Sequence, residues 1–385
     1  MLEDLKQRVI MFIGAGASKP FGIPDMKDFV AKLDEGIMKN EYKDLWNFWY
    51  FVKDTIPPQS REKDLEWVLD FLNMLTSPDL VFYTQTIERL ISKVLSQKDL
   101  RIGGSDIRPQ VCSVLQAFRE DARSQIESKS KKLSDIIKKY IRYKCMEFEL
   151  DVAVEKYSQA LNSLYKVIGD ELWVFTTNYD LIIESYYENK DVQKEVKLCC
   201  GFEIQENAPR EIWRPGLLTM KRYDIFRLLR IGSKKLLRLF KLHGSCDWFK
   251  TEQGIFRLGM AGDPILPGGR KPENILIYPG TKQEFYEQPF RELFSSFQRA
   301  LFESNGCIVI GFSFRDKHIT PLFRERLARK DNFKLAIVDP QAEKTVRNHF
   351  SEYRNRVILI PFKFGQDDWK AIYLRLIEFF NNLTR

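Results

Sequence analysis

The first patterned stretch of the chain is an unbroken apolar run, Val9 to Ile13. It is closed by Gly14-Ala15-Gly16-Ala17-Ser18 and by a second turn, Gly22-Ile23-Pro24-Asp25. A run this short with turn residues behind it predicts a buried strand. Phe29, Leu33 and Ile37 then recur every four residues, as on one helix face. After about residue 170 the pattern returns. Apolar runs at 172–177, 236–244, 274–280, 307–314, 333–340 and 357–362 read as strands, with helical patterns at 181–187, 285–304, 316–329 and 367–383. Strands alternating with helices of this length predict an α/β, Rossmann-like doubly wound fold whose mostly parallel sheet is covered on both faces.

Between the two parts the character changes. Residues 41–56 are dense in aromatics, among them Trp46, Phe48, Trp49, Tyr50 and Phe51, with Trp67 and Phe71 following. Segments 60–75, 81–95 and 110–126 carry apolar residues at three- and four-residue steps with few glycines. The expected organisation is a Rossmann-like domain built from 1–40 and 166–385, interrupted by a helical insertion over 41–165. The aromatic density suits either an internal core of the insertion or a contact surface, where aromatic residues are enriched. A homo-oligomer is expected on the second reading.

Composition narrows the class. The 385 residues are 44% hydrophobic and 30% charged, as in a globular chain with a full core. No apolar run approaches the ~18 residues of a membrane helix, and residues 1–8 are polar and mixed in charge, so no membrane contact and a cytoplasmic location are expected. Of the six cysteines no two are spaced Cys-x-x-Cys, so reduced thiols and no metal are expected. The formal charge of +8 is modest for this length and allows an anionic partner without requiring one, and two segments are rich in basic residues. Lys129 to Lys144 holds seven basic residues and one acid, and Arg214 to Lys241 holds nine and one. A solvated helix face and an amphipathic lead-in to a strand account for them; nucleic-acid contact is the alternative.

The polar residues fall in a regular place. The expected strands end in Gly14-Ala15-Gly16, in Thr177-Asn178-Tyr179-Asp180, in His243-Gly244-Ser245, in Gly311-Phe312-Ser313 and in Asp339. An open α/β sheet binds ligands beyond the carboxyl ends of its strands, where the strand order reverses, so these clusters are expected on one rim. Each has a plainer reading. Asn178 could cap the next helix, and Asp339 before Pro340 could end a strand. His318 and His349 are read as structural. Cys246, although close to His243 in sequence, has nothing to support a nucleophilic thiolate.

Taken in order, these clusters resemble the sirtuin family. Its members carry a Gly-Ala-Gly-x-Ser turn with a Gly-Ile-Pro-Asp loop, then Thr-x-Asn-x-Asp, a His-Gly pair, a Gly-(Thr/Phe)-Ser turn and a late acidic or asparagine residue. The resemblance covers roughly residues 8–36 and 170–345. Two departures, the missing Cys-x-x-Cys pairs and Met26-Lys27 where deacylating members carry an arginine, are shared by the sirtuin-like effectors of bacterial antiphage systems. That subfamily hydrolyses NAD⁺ and is encoded with a HerA-type hexameric ATPase. The resemblance therefore implies NAD⁺ as substrate, with Asn178 and His243 catalytic. Gly14, Ala15, Gly16, Ser18, Asp25, Thr177, Asp180, Gly311, Ser313 and Asp339 would bind the nucleotide: the Gly14–Gly16 backbone and Ser18 hydroxyl the phosphates, Asp180 the carboxamide, Asp339 the adenosine ribose. It also implies a HerA-type partner. A module that senses NAD⁺ or ADP-ribose without turnover, and an NAD-dependent protein deacylase, are the alternatives.

Overall fold

A computed structural model describes residues 9–34, 42–55, 65–76, 101–102, 105–106, 108–204, 211–228, 235–258, 273–276, 287–329 and 332–383. By contact density the chain falls into two compact units. The first comprises Met1–Asp25, Ile141–Ile277 and Thr281–Arg385, the second Met26–Tyr140 and Tyr278–Gly280. These bounds differ from the breaks at 40/41 and 165/166 read from the sequence pattern.

The first unit is built on a seven-stranded sheet. Its strands are β1 (Val9–Ile13), β2 (Glu171–Thr176), β3 (Val196–Cys199), β6 (Lys235–Lys241), β10 (Gly306–Ile310), β11 (Lys334–Val338) and β12 (Val357–Ile360). The order across the sheet is β12-β11-β10-β1-β2-β6-β3, and every pairing is parallel. The chain leaves β1 in one direction through β2 and returns on its other side through β10, so the switch in strand order lies between β1 and β10. Strands buried on both faces need continuous apolar runs, and all five residues of β1 and of β10 are buried. Phe12, Phe175 and Phe240 are register partners on three adjacent strands. They are covered by Phe297 of α9 (Phe290–Glu303), 5.2 Å from Phe12 and 5.1 Å from Phe175, and by Phe323 of α10 (Thr320–Ala328), 5.5 Å from Phe12.

Helix α5 (Leu150–Ile168), whose stripe of Ala153, Tyr157, Ala160, Leu161 and Leu164 is buried, also belongs to this unit, as do α6 (Ile182–Glu188), α7 (Lys190–Glu195), α8 (Arg222–Leu228), α11 (Ala342–His349) and α12 (Trp369–Leu383).

The sequence pattern missed a second sheet. β4 (Phe202–Ile204), β5 (Glu211–Trp213), β7 (Gly244–Thr251), β8 (Gly254–Arg257) and β9 (Glu273–Leu276) form an antiparallel sheet in the order β9-β7-β8-β5-β4. The expected strand 236–244 therefore ends at Lys241, and the chain turns through Leu242-His243 into β7. Gly244, with φ of 83°, makes that turn: a Cβ there would meet the Ile275 carbonyl oxygen at 2.4 Å. The apolar run at 274–280 contributes Glu273–Leu276 to this sheet instead of a parallel strand. Four of these strands have only three or four residues, and β7 is buried over six consecutive positions that include Asp247, so period-two alternation is hidden. Trp213, Trp248 and Phe202 pack together in their place, with ring centroids 5.1 to 6.0 Å apart.

In the second unit, α2 (Trp46–Thr55) and α3 (Leu65–Thr76) pack together, and α4 (Arg108–Met146) runs unbroken where two segments were expected. The unit boundary falls inside α4. Helix α1 (Met26–Lys32) buries Phe29 and Val30; Leu33 beyond it is also buried, and Ile37 lies outside the described residues. Trp49 is fully buried and donates its Nε1–H to Asp34 Oδ1 at 2.5 Å, while Tyr50 is exposed. The expected helix 81–95 and the side chains of Phe51 and Trp67 lie outside the described residues.

Candidate functional site

The parallel register sets the site. Ile13 lies opposite Ile310 on one side and Thr176 on the other, and Thr176 lies opposite Lys241. Gly14 and Gly311 therefore follow one register row by a single residue, and Asn178 and His243 follow it by two. Val338 lies opposite Ile310, so Asp339 also follows the row by one residue, and all five polar clusters are brought to one rim of the sheet, with Gly14 and Gly311 flanking the switch in strand order.

At this rim the glycines serve a close approach of two backbones. Gly14 N–H donates to the Ile310 carbonyl at 2.9 Å and Gly16 N–H to the Gly311 carbonyl at 2.8 Å. Gly311 has φ of 62°, and a Cβ on it would stand 2.3 Å from Ala17 N. The Gly16 N–H expected for phosphate is thus spent on the neighbouring loop, while Ala15 and Gly16 themselves are exposed.

Ser18, Asn178 and Asp180 form a chain of hydrogen bonds. Asn178 donates from Nδ2 to the Gly14 carbonyl at 3.0 Å and to Ser18 Oγ at 2.9 Å. Ser18, buried, passes its only proton to Asp180 Oδ2 at 2.7 Å. Asp180 Oδ1 accepts from Ile182 N–H at 3.2 Å, so it is Asp180 and not Asn178 that closes the turn into α6. Burial pushes the Asp180 carboxyl above its ordinary pKa, with Lys241 and the Ser18 hydroxyl opposing it. The amide orientation of Asn178 follows from these two acceptors, which leaves its Oδ1 buried with no partner among the described residues.

Beneath the rim sits a buried lysine that the sequence reading passed over. Lys241 Nζ is 2.9 Å from Glu184 Oε1 and 2.8 Å from Ser245 Oγ, and it donates to the Asp180 carbonyl. It ties the Asn178–Asp180 loop to the turn that carries His243. Burial disfavours the ammonium, but Glu184 and Asp247 outweigh it and its pKa is raised. A lysine inside an otherwise apolar strand, Leu-Phe-Lys-Leu, is the sequence signal that could have found it.

His243 is buried, with the Phe294 ring 6.3 Å away and the Tyr179 ring 6.5 Å away. Its Nε2 lies 3.2 Å from Asp316 Oδ2, although off the straight line of a ring N–H hydrogen bond. Asp316 Oδ1 accepts from the N–H groups of His318 at 2.7 Å and Ile319 at 2.9 Å. Burial works against this carboxylate, yet His243 and these N–H groups hold its pKa down at about 2. Asp316 was also missed; its signal is an acid three residues beyond Ser313, just before a helix.

The other expected site residues make different contacts. Asp25 forms a partly exposed ion pair with Lys19 at 2.9 Å. Thr177 N–H reaches the Ile13 carbonyl at 3.4 Å. Ser313 is exposed, its Oγ accepting from Arg315 Nε at 3.2 Å. Asp339 Oδ1 accepts from Gln341 N–H at 2.7 Å, and burial raises the Asp339 pKa. The Cys246 thiol is fully buried and pushed well up by burial, which leaves no thiolate. Among the described residues no group of three or more His, Cys, Asp or Glu is placed to hold a metal, and no helix is long and apolar enough to cross a membrane. In the basic segment from Arg214, Arg214 pairs with Glu203, Lys235 with Glu195, and Arg238, buried under Trp173, with Glu171.

Residues 173–359 match the family model of the SIR2-like domain. No curated protein matches the chain. Among solved structures, a Sir2 homolog in complex with NAD aligns over 98% of this chain and 94% of its own, at 13% identity and a TM-score of 0.41. A Sir2 bound to acetylated peptide aligns over 98% and 97%, at 11% identity and a TM-score of 0.37.

Proposed function

We propose that this site cleaves the glycosidic bond between nicotinamide and ribose in NAD⁺, with water as acceptor. The products are nicotinamide, ADP-ribose and a proton. The observation that carries the reading is the pair Asn178 and His243, each two residues beyond register partners on the adjacent strands β2 and β6, within the segment that matches the SIR2-like domain.

NAD⁺ suits the residues present. Nicotinamide leaves as a neutral molecule from a cationic pyridinium, so departure needs no proton. The demand falls on holding the ribose, stabilising an oxocarbenium-like C1′ and delivering water to it. Asn178, its amide fixed on Gly14 and Ser18, presents Oδ1 as an acceptor for a ribose hydroxyl or the attacking water. His243 accepts a proton or a hydrogen bond from the same groups. Ala15, exposed at the rim, offers backbone to the pyrophosphate, the Gly16 N–H being taken by the Gly311 carbonyl. The role in antiphage defence and the HerA-type ATPase partner rest on the motif resemblance alone. The homo-oligomer rests on the aromatic density of the second unit, where Tyr50 is exposed.

Product analysis tests the activity. The purified chain is incubated with NAD⁺ alone and with NAD⁺ plus an acylated peptide. Nicotinamide and ADP-ribose in equal amounts without peptide are expected. Turnover that requires the peptide would make the chain a deacylase, and binding without turnover would make it a sensor. Light scattering with and without NAD⁺ tests assembly; a monodisperse monomer cleaving at full rate would remove the oligomer from the reading.

A further inference from the structure

We propose that Asp316 is the positioning residue of His243. Its carboxylate fixes the ring as the Nε2–H tautomer and so makes Nδ1 the nitrogen that accepts in the reaction. The role of His243 in that reaction rests on the function proposed above; its tautomer does not.

Three observations carry this. First, the two oxygens of Asp316 are divided. Oδ1 takes the N–H groups of His318 and Ile319 and closes the turn into α10. That structural duty needs one oxygen, and an asparagine or serine would meet it as well. Oδ2 is left for His243 Nε2, 3.2 Å away, and both side chains are buried. Second, Nε2 is buried and has no other group to engage among the described residues. A buried carboxylate is seldom found without a partner. The pair stands out of line for an ideal hydrogen bond, as contacts of this kind often do before substrate tightens them. Third, the loop that presents Asp316 is held in place at a cost. Phe314 has φ of 56°, in the left-handed region where a bulky residue is strained. Its ring is wedged between Phe312 at 5.0 Å, Phe323 at 5.3 Å and Phe350 at 4.8 Å, and its carbonyl accepts from Thr320 Oγ1 at 2.9 Å. Strain of this sort persists only where the surroundings over-determine the conformation.

The consequence is chemical. With a carboxylate at Nε2, the ring gives its one proton there and keeps Nδ1 as a lone pair, and the carboxylate stabilises the imidazolium that forms when Nδ1 takes a proton.

The test is Asp316→Asn. Its Oδ1 keeps both backbone bonds, so the amide NH₂ is forced into the place of Oδ2 and now donates to Nε2. The ring must then carry its proton on Nδ1. The chain has three histidines, His243, His318 and His349, so ¹⁵N ring spectra of the free protein at mildly alkaline pH are simple, and His243→Gln identifies the signals. The native protein is expected to show His243 protonated on Nε2, and Asp316→Asn to reverse the two ring nitrogens. Steady-state kinetics with NAD⁺ should show kcat lower by ~10²-fold or more with KM little changed, since binding contacts are retained. A native His243 protonated on Nδ1, or a ring pattern unmoved by Asp316→Asn, would overturn the proposal. The native spectrum decides this even if the variant does not fold. If the native protein does not turn over NAD⁺, the proposed function fails while the ring spectra still decide the tautomer.

Discussion

Ser18 Oγ donates to Asp180 Oδ2 at 2.7 Å, joining the turn after the first strand to the loop after the second across 162 residues of sequence. The same hydroxyl accepts from Asn178. One buried serine thus holds both the amide and the carboxylate of the site. Ser18→Ala leaves that carboxylate and the Asn178 amide each short of a partner. The expected cost is about 1–3 kcal/mol, the usual penalty for stranding a buried polar group, read as a lower midpoint in urea. A variant as stable as the native chain would show that this link carries no weight.

Lys241 and Glu184, buried and 2.9 Å apart, invite a double-mutant cycle. Lys241→Met alone strands the Glu184 carboxylate and should cost about 3–5 kcal/mol. Adding Glu184→Leu removes the stranded charge, so the double variant should be more stable than Lys241→Met by itself. If the two losses simply add in chemical denaturation, the pair is not coupled and the lysine acts only through the carbonyls it binds.

At Gly311 the expected effect is steric. Any side chain there meets Ala17 N at 2.3 Å on a backbone already at φ of 62°. Gly311→Ala should lose roughly 1–3 kcal/mol or more, while Gly22→Ala, at φ of 95° but with nothing within 4 Å, should lose only the roughly 1–2 kcal/mol of the left-handed backbone itself. Thermal midpoints of the two variants make the comparison, and equal losses would refute the close-approach account.

Asp316 gives a pH dependence. Its folded pKa of about 2 lies below the ordinary 3.8, so the folded chain gives up this proton more readily than the unfolded one. The stabilisation is complete above the ordinary value and is lost as pH falls through it toward the folded one. The shift corresponds to about 2 kcal/mol. Urea midpoints of the native chain and of Asp316→Asn should therefore converge as the pH is lowered through that window. Curves that stay parallel would mean the carboxylate is not held down in the folded chain.

Asn178→Ala and His243→Ala should each reduce NAD⁺ cleavage by ~10²-fold or more without unfolding the chain. Circular dichroism and thermal melting establish the fold, and released nicotinamide gives the rate. A folded variant that keeps more than about a tenth of the native rate would remove its residue from the catalytic pair.

The strands of the parallel sheet are written locally. A strand buried on both faces needs an unbroken apolar run and a turn behind it, and Val9–Ile13, Lys334–Val338 and Val357–Ile360 are legible for that reason. The same local rule exposes Asn178 and His243, because polar residues just past such runs stand out. Tertiary structure decided the rest. The antiparallel sheet from Phe202 to Leu276 escaped the pattern because most of its strands are short and they tolerate Asp247 and Arg257, which neutralise each other at 2.8 Å. That Gly14 and Gly16 meet Gly311, and that Ser18 meets Asp180, follows from the pairing of β1 with both β10 and β2. Parallel pairing joins segments far apart in sequence, so no local window contains it. Asp316 and Lys241 carry only weak sequence signals for a related reason. A charge inside or beside an apolar run reads as an interruption until its partner is in place, and His243 and Glu184 arrive from other strands and helices only in the folded chain.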